Sequence, residues 1–135
     1  MSELADLFFY VWREDSNKVG ILVGRTRYVV TVRTWDKAFQ LSTELVSINE
    51  RQVIYEVNGY HGRYQVVIFP DGTYTCECPY EVYRDGKGCC SHFIAAIVDF
   101  KRHHEEEFLR FFCPDIEEAR EAYERLKAGM EAYGY

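Results

Sequence analysis

Long apolar runs are missing from this chain. The longest strongly apolar stretch near its cysteines, Phe93 to Val98, falls far short of the ~20 residues of a membrane-spanning helix, so no membrane partner is expected. A basic, apolar leader is missing too: Met1 to Asp6 carries two acids, and the run Leu7 to Trp12 is short, so no signal peptide is expected. Five cysteines cannot all pair within one chain, which argues against a disulfide scaffold and for an intracellular protein, cytoplasmic or nuclear. Neither a G-x-x-x-x-G-K-[ST] phosphate loop nor a nucleophile elbow is present, and no other catalytic constellation is visible, so an enzyme is not expected.

Excess positive charge is also missing, the formal net charge being −6. That argues against strong non-specific attachment to nucleic acid, whose affinity comes largely from neutralised phosphates. The deficit is uneven, however: residues 105 to 135 hold nine acids against four bases and account for five of the six. Lys18, Arg25, Arg27 and Arg33 fall in a sixteen-residue stretch with no acid, which leaves room for a local basic face. At 135 residues the chain suits one domain, with a core modest enough that a metal cross-link would help it.

What is present is a constellation of thiols and one imidazole. Cys76 and Cys78 are one residue apart, and after an eleven-residue gap come Cys90, Ser91 and His92. Three thiols and an imidazole are a ligand set for a structural zinc ion. Side chains two apart on an extended strand share a face, and Tyr74 to Cys78 is strand-like, so both thiols can reach one ion. Within a helix a two-residue step turns a side chain about 200°. Cys90 and His92 are therefore expected to straddle a loop-to-helix junction, with Ser91 as N-cap and His92 in the first turn. The helix dipole would favour the net negative charge of three thiolates around a divalent ion. Cysteines are often only small buried hydrophobes, but strand, glycine-rich loop and helix here occur in the order that a metal site needs. Cys89 is a second candidate thiol beside Cys90; the C-x-H spacing favours Cys90, leaving Cys89 as a packed or reactive neighbour, and Cys113 reads as core.

The order C-x-C, loop, C-x-H, continuing as Phe93-Ile94-Ala95-Ala96, resembles the SWIM-type zinc finger. The likeness covers about residues 45 to 104: a β-hairpin precedes the first cysteine pair, a helix follows the histidine, and the preceding helix is similar to the one that commonly leads into the domain. The resemblance implies one structural Zn2+ held by Cys76, Cys78, Cys90 and His92, in a module that binds DNA, proteins or both. Cys90, His92 and Ala95 also resemble the ending of small stand-alone SWIM proteins that pair with RecA-family recombinase paralogues. That likeness implies an alternative role as a protein-only adaptor in homologous recombination, with a RecA-like ATPase as partner.

The remaining elements follow from patterning. Residues 4 to 13 are expected as a short helix, though an aromatic strand fits the same pattern. Val19 to Val23 and Tyr28 to Val32 read as paired strands, and Asp36 to Val46 as an amphipathic helix capped by Thr34 or Asp36. Gln52 to Val57 and Arg63 to Phe69 read as a second hairpin, joined by Asn58 to Gly62. Asp85-Gly86-Lys87-Gly88 supplies glycines able to turn the loop back toward the first cysteine pair. Phe93, Ala96, Ile97 and Phe100 recur at helical spacing and should face that hairpin. His103 and His104, adjacent on a helix, point about 100° apart and do not read as a second metal site. Pro114 opens a final helix with Asp115, Glu117 and Glu118 at its positive end. Its stripe Ile116, Ala119, Tyr123, Leu126, Met130 and Tyr133 packs on the core or meets a partner, including a second copy.

The expected fold is α+β: a small zinc-stapled domain of antiparallel β-hairpins packed on helices, with a C-terminal amphipathic helix. One compact unit spans 1–135, divided into an N-terminal hairpin and helix (1–50), the zinc-binding region (51–104) and an acidic C-terminal helix (105–135). Nucleic-acid contacts are expected from Arg25, Arg27, Arg33 and Arg63, with Tyr28, Tyr60 or Tyr64 stacking on bases.

Overall fold

Strands β2 (Lys18–Val23) and β3 (Thr26–Thr31) pair from Val23↔Thr26 to Lys18↔Thr31, leaving Gly24 and Arg25 in the turn. Gly24 has φ 57°, the left-handed conformation that a two-residue hairpin turn demands and that glycine takes without a steric penalty. The structure is a computed structural model; it describes residues 2–59, 62–79 and 88–113, and then 115, 117, 118, 120, 121 and 124.

The helix expected over residues 4 to 13 is confined to α1 (Ser2–Ala5), while Phe9–Asp15 forms β1 and pairs with β2. This segment is aromatic and β-branched, and alternation sends Phe9 into the core and leaves Tyr10 exposed, which suits a half-buried strand. A second correction concerns residues 36 to 46. The helix there, α2, runs Val32–Ala38, and Ser42–Ile48 is β4. Thr31, extended at φ −73° and ψ 154°, caps α2 by accepting the Thr34 N–H at 3.1 Å, so the helix starts and stops earlier than Thr34 or Asp36 would set it. Leu41, Leu45 and Val46 fit a helical period, yet Ser42 to Ile48 finds a ladder partner in β5 (Val53–Gly59).

The second hairpin forms as expected from β5 and β6 (Gly62–Ile68). It belongs to a four-stranded antiparallel sheet, in the order β4, β5, β6, β7, whose last strand is β7 (Tyr74–Cys76); β1, β2 and β3 make the other sheet. The two sheets meet where the turn at Asp71-Gly72 docks on the first hairpin. Asp71 O accepts the Arg25 N–H at 3.0 Å and the Thr26 hydroxyl at 2.8 Å, and Gly72 O accepts the Tyr28 hydroxyl at 2.8 Å. Gly72 sits at φ 92°, and a Cβ there would fall 1.7 Å from the Val23 carbonyl oxygen.

Helix α3 (Ser91–His103) lies across the four-stranded sheet. Its Phe93, Ala96, Ile97 and Phe100 are wholly buried, as the helical spacing predicts. They join Tyr55, Val57, Val66 and Ile68 in a hydrophobic cluster of buried residues that runs from Leu4 to Cys113. Helix α4 (Glu105–Phe112) adds Phe108, Phe111 and Phe112, which surround Phe100 at centroid distances of 5.4 to 6.3 Å. The acids Glu105 to Glu107 thus open an amphipathic helix whose apolar side is core. Beyond it, Asp115 Oδ1 accepts the Glu118 N–H at 3.1 Å, a capping bond for the helical residues Glu117, Glu118, Arg120, Glu121 and Glu124. Pro114 and the stripe from Ile116 to Tyr133 lie outside the described residues, as does most of the Asp85 to Gly88 turn. No described helix is long and apolar enough to cross a membrane.

Candidate metal centre

Cys76 ends strand β7, where it pairs with Val66 at the edge of the second sheet. The chain keeps an extended course for one more residue, because the Glu77 N–H donates to Gln65 O at 3.3 Å and Glu77 Oε1 accepts the Gln65 N–H at 2.8 Å. These bonds turn the Glu77 carboxylate along the sheet edge and leave Cys78, which is 3% exposed, on the side of Cys76. The other two donors come from the start of α3. The N-cap is Cys90, not Ser91: Cys90 is extended at φ −82° and ψ 160°, its carbonyl accepts the Ile94 N–H at 3.3 Å, and no side-chain bond caps the helix. Ser91 is the first helical residue and is buried; His92 lies in the first turn.

The Sγ atoms of Cys76, Cys78 and Cys90 and a nitrogen of His92 lie within 4.8 Å of one another, so the four could hold a metal ion. Metal–sulfur bonds of about 2.3 Å in a tetrahedron place sulfurs about 3.8 Å apart, so small side-chain adjustments would close the shell. His92 Nδ1 is buried and has no hydrogen-bond partner among the described residues. A buried imidazole nitrogen normally finds a partner, and an ion among three thiolates would supply one. Three soft sulfurs and an imidazole in tetrahedral reach suit zinc better than a hard cation.

Three neighbours hold this arrangement, a role that sequence reading had assigned to none of them. The Tyr74 hydroxyl accepts the Cys90 N–H at 2.9 Å, while its ring stacks on Phe93 at 4.0 Å with planes 5° apart. Tyr64 packs edge-on against the His92 ring at 4.8 Å. Gly59 leaves room for the imidazole, since a Cβ there would stand 2.8 Å from Nε2. Tyr74 was within reach of sequence reasoning, because it shares a strand face with Cys76. Gly59 carries no local signal, its role depending on a histidine thirty-three residues away.

Without an ion the thiols compete for protons. The Cys90 thiol is pushed up to about 12, chiefly by its hydrogen bond with Cys76 and further by burial, with Cys78 acting in the opposite direction. A divalent cation inverts this preference and draws the sulfurs into the thiolate state.

Cys89 is buried outside the four-donor set. Cys113 is buried as expected, its thiol donating to Asp115 O at 2.8 Å. His103 and His104 lie 4.0 and 3.8 Å from the two carboxylate oxygens of Asp99, and no second metal cluster occurs among the described residues. The arginines are dispersed. Arg25 is in the β2–β3 turn, Arg27 projects from β3 with its guanidinium 6.0 Å from the Trp12 ring, and Arg33 is on α2. Arg63 sits on the other sheet, paired with Glu44 at 3.1 Å and with Glu56, so its charge is already met. Of the tyrosines expected to stack on bases, Tyr28 is 5% exposed and bonded to Gly72, which removes it from solvent. Tyr64 is committed to His92, and Tyr60 lies outside the described residues. Comparison with protein-family models, curated proteins and solved structures finds no match for this chain.

Proposed function

We propose that this protein is a SWIM-type recognition module in which one structural zinc ion, held by Cys76, Cys78, Cys90 and His92, clamps the edge of a β-sheet to the start of α3. The observation that carries this reading is the convergence of four donor atoms within 4.8 Å, one of them from an imidazole, His92, whose buried Nδ1 has no hydrogen-bond partner among the described residues. Four protein ligands leave no open position for water or substrate, the mark of a structural rather than a catalytic zinc. Glu77, the carboxylate between the first two ligands, is turned to Gln65, so it does not face the ion as a general base. The module acts by binding and is not an enzyme. Nucleic acid is its first candidate partner, through the basic first hairpin.

A second reading, a protein-only adaptor for a RecA-like ATPase, draws on strand β4. It is an edge strand, and it exposes Val46 at 50% and Ile48 at 38%, a surface to which a partner can add. Metal analysis tests the shared part: about one equivalent of zinc is expected, and Cys90→Ser should lose the metal and much of the stability. Nucleic-acid binding over a salt series, set against capture of a RecA-like ATPase, tests the partner. Affinity that falls steeply with salt supports nucleic acid; capture with no such affinity supports the adaptor.

A further inference from the structure

The outer face of the first sheet presents a flat aromatic surface beside two cations. Paired residues share a face, so one row across the three strands is Tyr10, Leu22 and Arg27, and the next is Trp12, Gly20 and Val29. Gly20 has a packing reason here: a Cβ would come 2.1 Å from Trp12 Cε2, so its absence lets the indole lie across the strand. Glu14 Oε1 takes the indole N–H at 2.5 Å and holds the ring in that plane. Tyr10, 55% exposed, is stacked with Trp12 at a centroid distance of 6.2 Å and an interplanar angle of 20°. Arg27 stands 6.0 Å from the Trp12 ring, and Lys18 is exposed on the same face, in register with Asp15 on one side and Thr31 on the other. Neither cation forms an ion pair among the described residues.

We propose that this face binds single-stranded nucleic acid, with Tyr10 and Trp12 each stacking on one base and Arg27 and Lys18 meeting the phosphates. The proposal rests on the recognition-module reading and moves the stacking residues from Tyr28, Tyr60 and Tyr64 to Tyr10 and Trp12. Aromatic rings on a sheet, flanked by cations, take unstacked bases of any sequence. In a duplex the base faces are already covered, so double strands gain only the phosphate contacts. Charge favours nucleic acid over a protein occupant: both cations lie in the acid-free stretch 18–33, and of the two acids beside them on β1, Glu14 is taken up by the Trp12 indole N–H and Asp15 accepts the Asn17 N–H.

The test uses zinc-loaded full chain and oligo-dT, oligo-U and duplex DNA of about twelve units, a length within the site sizes of single-strand binders. Polarisation of labelled oligonucleotide measures affinity in the unaltered protein. In a Trp35→Phe protein, Trp12 is the sole tryptophan, and its fluorescence should be quenched on binding. Tyr10→Ala should weaken single-strand binding about tenfold or more, and Arg27→Gln should reduce the log–log salt slope by about 0.7. The ratio of oligo-dT to oligo-U affinity tells DNA from RNA. Absence of single-strand binding, equal affinity for duplex, or indifference to Tyr10→Ala would overturn the proposal. So would a Tyr10→Ala protein that loses a protein partner instead. Zinc content, measured in every variant, separates the failures: a zinc-loaded protein that ignores oligonucleotides refutes the platform alone, whereas an unaltered protein that takes up no zinc refutes the module.

Discussion

Tyr74→Phe removes one oxygen from the metal centre and leaves its packing intact, because phenylalanine keeps the 4.0 Å stack on Phe93. The lost oxygen is the acceptor for the Cys90 N–H at 2.9 Å. Cys90 is 1% exposed, so water is poorly placed to replace it, and a buried N–H left without a partner costs about 1–3 kcal/mol. With a urea dependence of about 2 kcal/mol per molar, the unfolding midpoint of the zinc-loaded protein should fall by about 1 M. Metal binding and local folding share one free energy, so a chelator should strip zinc from the variant at about tenfold lower free concentration or less. Urea melts followed by tryptophan fluorescence, together with chelator competition, measure both quantities. Tyr64→Phe serves as control, since its ring edge against His92 persists. An unchanged midpoint together with unchanged zinc retention in Tyr74→Phe would show that the Cys90 N–H does not depend on the phenol, and would refute the argument.

Gly59→Ala should push the imidazole from its seat, since the new methyl would lie 2.8 Å from Nε2; zinc affinity is expected to drop about tenfold with the circular dichroism spectrum preserved, and wild-type affinity in a chelator titration would count against it. Gly72→Ala should destabilise by about 3 kcal/mol, combining a strained positive φ with overpacking, because its Cβ would meet the Val23 carbonyl at 1.7 Å; a thermal melt unchanged from wild type contradicts this. In metal-free protein the Cys90 thiol titrates higher folded than unfolded, about 12 against 9.0. Its contribution is therefore full below about pH 9 and is lost as the pH rises toward about 12, so urea midpoints of chelator-treated protein should fall across that window, and a flat profile would oppose the assignment. Zinc-loaded protein should respond in the other direction, losing metal and stability on acidification as its thiolates take up protons.

The donor set was legible because its geometry is local twice over. Cys76 and Cys78 are two apart on an extended chain, and Cys90 and His92 bracket a helix start, so each pair is brought to one side by backbone period alone. The second hairpin and the buried face of α3 were legible for the same reason, alternation in one and helical spacing in the other. Residues 4 to 13 and 36 to 46 were not. Phe9 to Asp15 and Ser42 to Ile48 carry apolar residues that satisfy either period, and what decides between helix and strand is a ladder partner, Lys18 to Val23 for the first and Val53 to Asn58 for the second. A short segment cannot signal that it will have one.

The same division holds for the proposed binding surface. Sequence by itself determined which four side chains could converge on an ion, since thiol and imidazole chemistry and spacing suffice for that. Only the tertiary structure decided which aromatic and basic residues face water. It buried Tyr28 under the turn at Gly72, tied Arg63 to Glu44 and Glu56, and set Tyr10, Trp12 and Arg27 side by side on the outer face of the first sheet. Exposure depends on what the rest of the chain packs against each face, and that information belongs to no segment alone.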